Sequence, residues 1–156
     1  MQSKLCVTIK VMVIQMSTKI KTYSELMELP TFIERFRYLQ IGGAVGRMTF
    51  GHDRYLNQIL YSSDEWKRFR RDIILRDKGC DLACEDREIM ERAMVHHINP
   101  ITVEDVIRRD PKIFDPENVI TTFLRTHNAI HYADESILML DPVERTKYDT
   151  CPWRQR

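Results

Sequence analysis

Nowhere does the chain offer the roughly 20 consecutive apolar residues that a membrane-spanning helix needs. Its one apolar stretch near the start, residues 5–16, is short and broken by Lys10. That stretch also lacks a small-residue cleavage signature, which argues against a signal peptide. Its alternation over residues 6–13 fits a strand; alternatively translation starts at Met16, where Met-Ser-Thr-Lys-Ile-Lys makes an ordinary polar beginning. Cysteine is scarce as well. The four cysteines, at 6, 80, 84 and 151, do not form a disulfide scaffold in a chain this long. Cys80-x-x-x-Cys84 has no second close pair to complete a structural zinc site, so the thiols are read as reduced and buried or half-buried. Four of the five glycines crowd into residues 41–51, and that segment carries no Gly-Lys-Ser/Thr, which excludes a phosphate-binding P-loop. Repeats, low-complexity tracts and helix-turn-helix or zinc-finger readers are all missing.

What remains is an ordinary globular composition. With 156 residues, 43% of them hydrophobic and 30% charged, the chain can form one domain, or a small catalytic module with an N-terminal helical appendage. The net charge of +1 hides local asymmetry. Residues 66–78 hold Lys67, Arg68, Arg70, Arg71, Arg76 and Lys78, whereas residues 81–91 hold Asp81, Glu85, Asp86, Glu88 and Glu91. A local basic stripe can hold phosphates on a nearly neutral protein; a solvated helix face is the competing reading.

Residues 23–40 predict a helix with Ser24 as its cap and a break at Pro30-Thr31, since Leu26, Phe32, Phe36 and Leu39 recur at near-helical spacing. The glycine-rich residues 41–51 read as a loop, and the lone His52 after them as surface or structural. A second helix is predicted over residues 63–76. Ser62-x-x-Glu65 has capping-box spacing. Trp66, Phe69 and Ile73 share a face, and Lys67, Arg68 and Arg71 lie away from it. Ile74 and Leu75 fall outside that stripe and predict a final turn buried on more than one side, with Gly79 ending the helix. Residues 80–84 and 89–98 read as strands joined by a polar turn, and residues 101–109 as a short capped insertion. Asp110-Pro111 and Asp115-Pro116 read as turns, residues 119–122 as a strand and residues 125–132 as a helix. Beyond Leu140 little periodicity is left. The fold class is α+β.

Against this background the histidines stand out. Four of five fall in two tight pairs, His96-His97 and His127-x-x-x-His131. Imidazole both ligates transition metals and titrates near neutral pH. Two histidines at i and i+4 of a helix share a face and can clamp one ion. Adjacent residues of a regular strand point to opposite sides, so His96 and His97 can serve one site only if the strand ends there. Pro100, close behind, supports that ending. The four rings can therefore supply a three-histidine metal site and leave one histidine as a base. Taken singly, each is better read as a buried ring bonded to a backbone carbonyl; the co-occurrence of both pairs with Pro100 and Asn118 argues for a site. A zinc-protease reading fails because Asn128 stands where such a helix needs its glutamate base.

Three segments carry a resemblance. In order, Val95-His96-His97-Ile98-Asn99-Pro100-Ile101, Glu117-Asn118-Val119-Ile120-Thr121-Thr122 and Arg125-Thr126-His127-Asn128-Ala129-Ile130-His131 resemble the HNH (His-Me finger, ββα-metal) nuclease motif. The likeness is closest to its HH…N…H…H form, as in colicin-type DNase domains. The resemblance implies that His96, His127 and His131 ligate a metal and that His97 is the general base. It also implies that Asn118 ties the connecting loop to the base histidine and fixes its orientation. Thr121-Thr122 and Arg125 are weaker matches, Arg125 as a phosphate contact. More broadly, residues 23–153, including Ser63-Asp-Glu-Trp66, Asp115-Pro-Glu-Asn118 and Asp149-Thr-Cys-Pro-Trp153, resemble small HNH proteins encoded by phages of Gram-positive bacteria. Two departures matter: His96 stands where most such sequences have aspartate, and His131 where asparagine is the common third ligand.

The resemblance implies an α+β fold with a ββα-metal core at 79–140, preceded by an uncertain segment at 1–20 and a helical scaffold with a basic helix at 21–78. An irregular tail at 141–156 follows. The implied activity is metal-dependent endonucleolytic cleavage of DNA with one divalent ion, Mg²⁺, Mn²⁺, Zn²⁺ or Ni²⁺; three imidazoles favour an ion softer than Mg²⁺. The implied partners are DNA and phage packaging or replication proteins, without a membrane, in the cytoplasm of a bacterial host. Two other readings stay open. One is a DNA-binding or packaging accessory protein that has lost turnover, against which intact His97 argues. The other is an RNase built on the same site chemistry.

Overall fold

A computed structural model describes residues 20–41 and 54–138; the expectations for the N-terminal segment, the glycine-rich loop, His52 and the C-terminal tail lie outside these residues. The described residues form a mixed α+β arrangement of helices around a two-stranded antiparallel sheet. None of these helices is long and apolar enough to cross a membrane.

The predicted first helix is two, α1 (Tyr23–Met27) and α2 (Phe32–Leu39), divided at the expected Pro30-Thr31 break. Thr22 rather than Ser24 caps α1, accepting from the Glu25 N–H, while Ser24 gives its N–H and hydroxyl to Glu117. Thr31 and Glu34 form a reciprocal capping box on α2, and a cap of this kind stabilises a helix by about 1 kcal/mol. Leu26, Phe36 and Leu39 face inward and are fully buried against Leu82, Ile98, Ile120 and Ile130. Removing a ring such as that of Phe36 from this core would cost about 3–5 kcal/mol.

Helices α3 (Arg54–Ser62) and α4 (Asp64–Arg76) meet at Ser63. Ser62 belongs to the last turn of α3, so Ser63 takes the capping position instead and accepts from the Trp66 N–H at 3.1 Å. Trp66 and Ile73 are buried as expected, but Leu75 is 69% exposed, so the final turn does not bury a second side. That turn closes with Lys78, not Gly79, at the first left-handed position. The Lys78 N–H donates to the Leu75 carbonyl at 3.1 Å and the Gly79 N–H to that of Ile74 at 2.9 Å, the two bonds of a Schellman motif.

The strand expected over residues 80–84 does not form. Asp81–Ala83 is a single 3₁₀ turn with Leu82 and Ala83 at φ 52° and 53°, and one bridge, Cys80 to Glu88, is all that remains of the pairing. The reason lies in α2. The buried Arg35 guanidinium donates to the Leu82 and Ala83 carbonyls at 2.8 and 3.0 Å, taking acceptors that a sheet would have used. The strand predicted over residues 89–98 shrinks to β1 (Met94–His97), which pairs antiparallel with β2 (Val119–Thr122). The register sets His96 against Ile120 and His97 against Val119. Helix α6 (Leu124–Tyr132) follows β2 after one residue.

The chain between β1 and β2 carries α5 (Val103–Arg108), entered through a Thr102–Asp105 capping box as the sequence predicts. Two Asp-Pro turns follow. Asp110 and Asp115 each accept the N–H two residues on, at 2.9 Å, and place Pro111 and Pro116 where a missing N–H costs nothing. Two buried aspartates lock the sheet to α6. Asp77 accepts the Thr121 N–H at 2.7 Å, and Asp81 accepts the Phe123 N–H at 2.9 Å together with the Thr126 hydroxyl.

Candidate metal centre and cleft

Three of the four paired histidines converge. β1 delivers His96 near its end; α6 delivers His127 and His131 from successive turns of one face. The ring centroids lie 5.2 Å (His96 to His127), 5.0 Å (His96 to His131) and 4.4 Å (His127 to His131) apart. One nitrogen from each ring falls within 4.8 Å of the other two. The Nε2 atoms of His127 and His131 are 3.2 Å apart, and Nε2 of His96 is buried with no hydrogen-bond partner among the described residues. His127 turns its other nitrogen, Nδ1, toward the Asn128 side-chain oxygen at 3.5 Å.

Burial sets the charge of these rings. It holds His96 well below the ordinary imidazole range, helped by the neighbouring histidines, and pushes His127 down to about 4 with a further contribution from His131. His131 is lowered for the same reason. The cluster is therefore neutral at physiological pH and offers lone pairs, the form in which imidazole binds metal. The donor set fits a divalent ion on three counts. Two nitrogens, each ~2.0–2.1 Å from a tetrahedral ion, lie ~3.3–3.4 Å apart, close to the 3.2 Å between His127 and His131. The orphaned nitrogen of His96 would gain a partner that its surroundings deny it. Among the described residues no carboxylate joins the group, and three imidazoles suit zinc, nickel or copper better than magnesium.

His97 takes a different position on the same cleft. Its ring stacks on Trp66 of α4, with centroids 5.6 Å apart and planes 26° from parallel. Its Nε2 lies 3.0 Å from the Ile113 carbonyl, which can only accept, so Nε2 carries the proton and Nδ1 holds the lone pair. Burial lowers its pKa, against the pull of that carbonyl. Asn118 is buried behind it. The Asn118 side-chain N–H donates to the Lys112 carbonyl at 3.0 Å, one residue from the carbonyl that holds His97. Its oxygen accepts from the Asn99 backbone and side-chain N–H groups at 3.0 and 2.7 Å. Asn99 in turn bonds Lys21 in both directions, fixing the loop after β1 to the segment before α1.

His96 and His97 both line one open cleft of about 810 Å³, together with His127, His131, Trp66, Arg70 and Arg92. The strand ending that the sequence requires for two adjacent histidines to share a site is present, since β1 stops at His97. The sequence-predicted basic residues are elsewhere. Lys67, Arg68 and Arg71 point to solvent from α4, Lys67 and Arg71 beside Asp64 and Asp72, and neither they nor Arg125 line the cleft. Arg70, Arg92 and the stacking role of Trp66 carry no distinguishing signal in the sequence. The first two sit among other charges without periodic signature, and Trp66 belongs to an apolar stripe that predicts core. No protein-family profile matches this chain, and no curated protein or solved structure is significantly similar to it.

Proposed function

We propose that this protein is a metal-dependent DNA endonuclease of the HNH (ββα-metal) type. One observation carries the reading: three neutral imidazoles converge on a point in the same cleft as a fourth imidazole whose free nitrogen is a base. The order of elements supports it, since the antiparallel pair β1–β2 is followed at once by the helix that carries His127 and His131.

His96, His127 and His131 would hold the ion. A divalent cation there supplies positive charge for the pentacovalent phosphate and for the departing oxygen. The chain's own residues do the rest. Nδ1 of His97 takes the proton from the attacking water, a contribution of typically ~10²–10⁴-fold. The Ile113 carbonyl fixes the tautomer that makes Nδ1 the base, and the Trp66 ring holds the imidazole plane. Asn118 acts as a positioning residue. It clamps the turn at residues 111–113, and with it the carbonyl that His97 leans on.

Plasmid nicking by the purified chain across Mg²⁺, Mn²⁺, Ni²⁺ and Zn²⁺ tests this. Cleavage lost both in EDTA and in His97→Ala supports the assignment; cleavage that survives His97→Ala removes His97 from its role. Absence of cleavage with every ion, with salt-sensitive DNA binding retained, favours an accessory protein that keeps the fold. A parallel RNA substrate tests the RNase alternative, because the same groups would attack either backbone.

A further inference from the structure

Two features of the cleft are not used by the histidines. The first is a pair of cations. Arg70 of α4 is half-buried and donates to the carbonyl of Ala93, three residues before His96; Arg92 is exposed beside it, and both line the cleft. Among the described residues neither has a carboxylate within ion-pair distance, although Glu91 lines the same cleft. On the solvent face of α4, by contrast, Lys67 and Arg71 lie 3.3 and 3.5 Å from Asp64 and Asp72. The charge of Arg92 adds to burial in lowering the pKa of Arg70, so the two guanidinium groups repel each other. Like charges held together in a partly dry cleft are relieved by an anion that accepts from both.

The second feature is apolar. Leu124 and Tyr132 line the cleft from α6 while 51% and 68% exposed, and Tyr132 directly follows His131. An accessible aromatic face next to a cationic groove is how proteins hold unpaired bases, each stacking contact giving ~1–3 kcal/mol. A base inside a duplex has both faces covered by its neighbours and cannot use it. The cleft, about 810 Å³, is within the ~300–1,000 Å³ range of small-ligand sites.

We infer that the cleft takes an unpaired DNA strand, with Arg70 and Arg92 on a backbone phosphate flanking the one presented to His97, and a base stacked on Tyr132. The identity of the ligand as DNA rests on the nuclease reading; the phosphate contact rests on the arginine pair, and the preference for an unpaired strand on the exposed ring.

The test is fluorescence anisotropy with the full chain in EDTA, comparing a short labelled single strand with the same sequence as a duplex. The single strand is expected to bind at least about tenfold tighter. Arg92→Gln is the informative variant, because no hydrogen bond or ion pair joins Arg92 to the other described residues. It should lose about tenfold and lower the log–log salt slope by about 0.7. Tyr132→Ala should lose about fivefold or more, and Arg108→Gln on α5 should change nothing. Equal or tighter duplex binding, no measurable single-strand binding, or an unchanged Arg92→Gln overturns the inference. Because binding is read without metal, the two proposals fail separately. A chain that binds single strands but cuts nothing retires the nuclease and keeps the subsite; cleavage of duplex indifferent to Arg92→Gln does the reverse.

Discussion

Two buried polar groups sit on either side of the β2–α6 junction, and they are built on opposite principles. Behind it, Asp77 and Asp81 accept from Thr121, Phe123 and Thr126, and Arg76 closes on Asp77 at 2.8 Å while donating to the Val119 carbonyl. In front of it, His96 buries a nitrogen with no partner beside two further imidazoles. The carboxylates of the first group find their partners among the described residues, so their work is to hold β2 and α6 in place. The second lacks a partner among the described residues, and leaving a buried polar atom unpaired costs about 1–3 kcal/mol. The Thr121 and Thr122 hydroxyls are also buried without partners. They belong to no group of metal-ligating side chains among the described residues, whereas the His96 nitrogen lies with those of His127 and His131. Completeness marks architecture, and a converging deficit marks a place for a ligand.

Chelation, or His96→Ala, should abolish plasmid cleavage down to background while leaving the far-ultraviolet circular dichroism of the chain unchanged. His97→Ala should lower the cleavage rate by ~10²–10⁴-fold with the affinity for the ion unaltered, as titration calorimetry would report. A chelator-like loss of ion binding in that variant would show that His97 belongs to the ligand set instead. Asn118→Ala should slow cleavage by ~10–100-fold, the usual range for a group that orients an active residue. Changes at the complete group should do something different. Asp81→Ala strands the Phe123 N–H and the Thr126 hydroxyl, at about 1–3 kcal/mol for each buried group left unsatisfied, measurable as a lower urea midpoint. Below that midpoint its ion affinity should stay near that of the parent chain. On the exposed face of α4, Lys67→Gln and Arg71→Gln should each change stability by under ~0.5 kcal/mol and leave single-strand binding nearly untouched.

How much of this the sequence discloses depends on where the deciding contact lies. The α5 capping box, the Asp-Pro turns, β2 and α6 are all fixed by neighbours within a few residues, and they form where their sequences place them. The histidine pairs are legible for the same reason, since i and i+4 on a helix and adjacency at a strand end are local statements. Residues 80–84 read as a strand before a polar turn, yet Arg35, far away in the chain, claims the Leu82 and Ala83 carbonyls and bends them into a turn. The caps at Thr22 and Ser63 miss the expected serines by two and one positions, because Ser24 is engaged by Glu117 and Ser62 ends the preceding helix. Trp66 joins an apolar stripe in the sequence, and only the fold brings it against His97. Arg70 and Arg92 share no motif; the cleft alone distinguishes them from the paired charges around them.

X-ray absorption on the zinc-loaded chain reads the three-histidine site itself. One zinc per chain is expected, with three imidazole nitrogens at about 2.0–2.1 Å, and loss of one nitrogen together with most of the affinity in His96→Ala. A chain that takes up no zinc, or whose zinc environment is unchanged in His96→Ala, would contradict it.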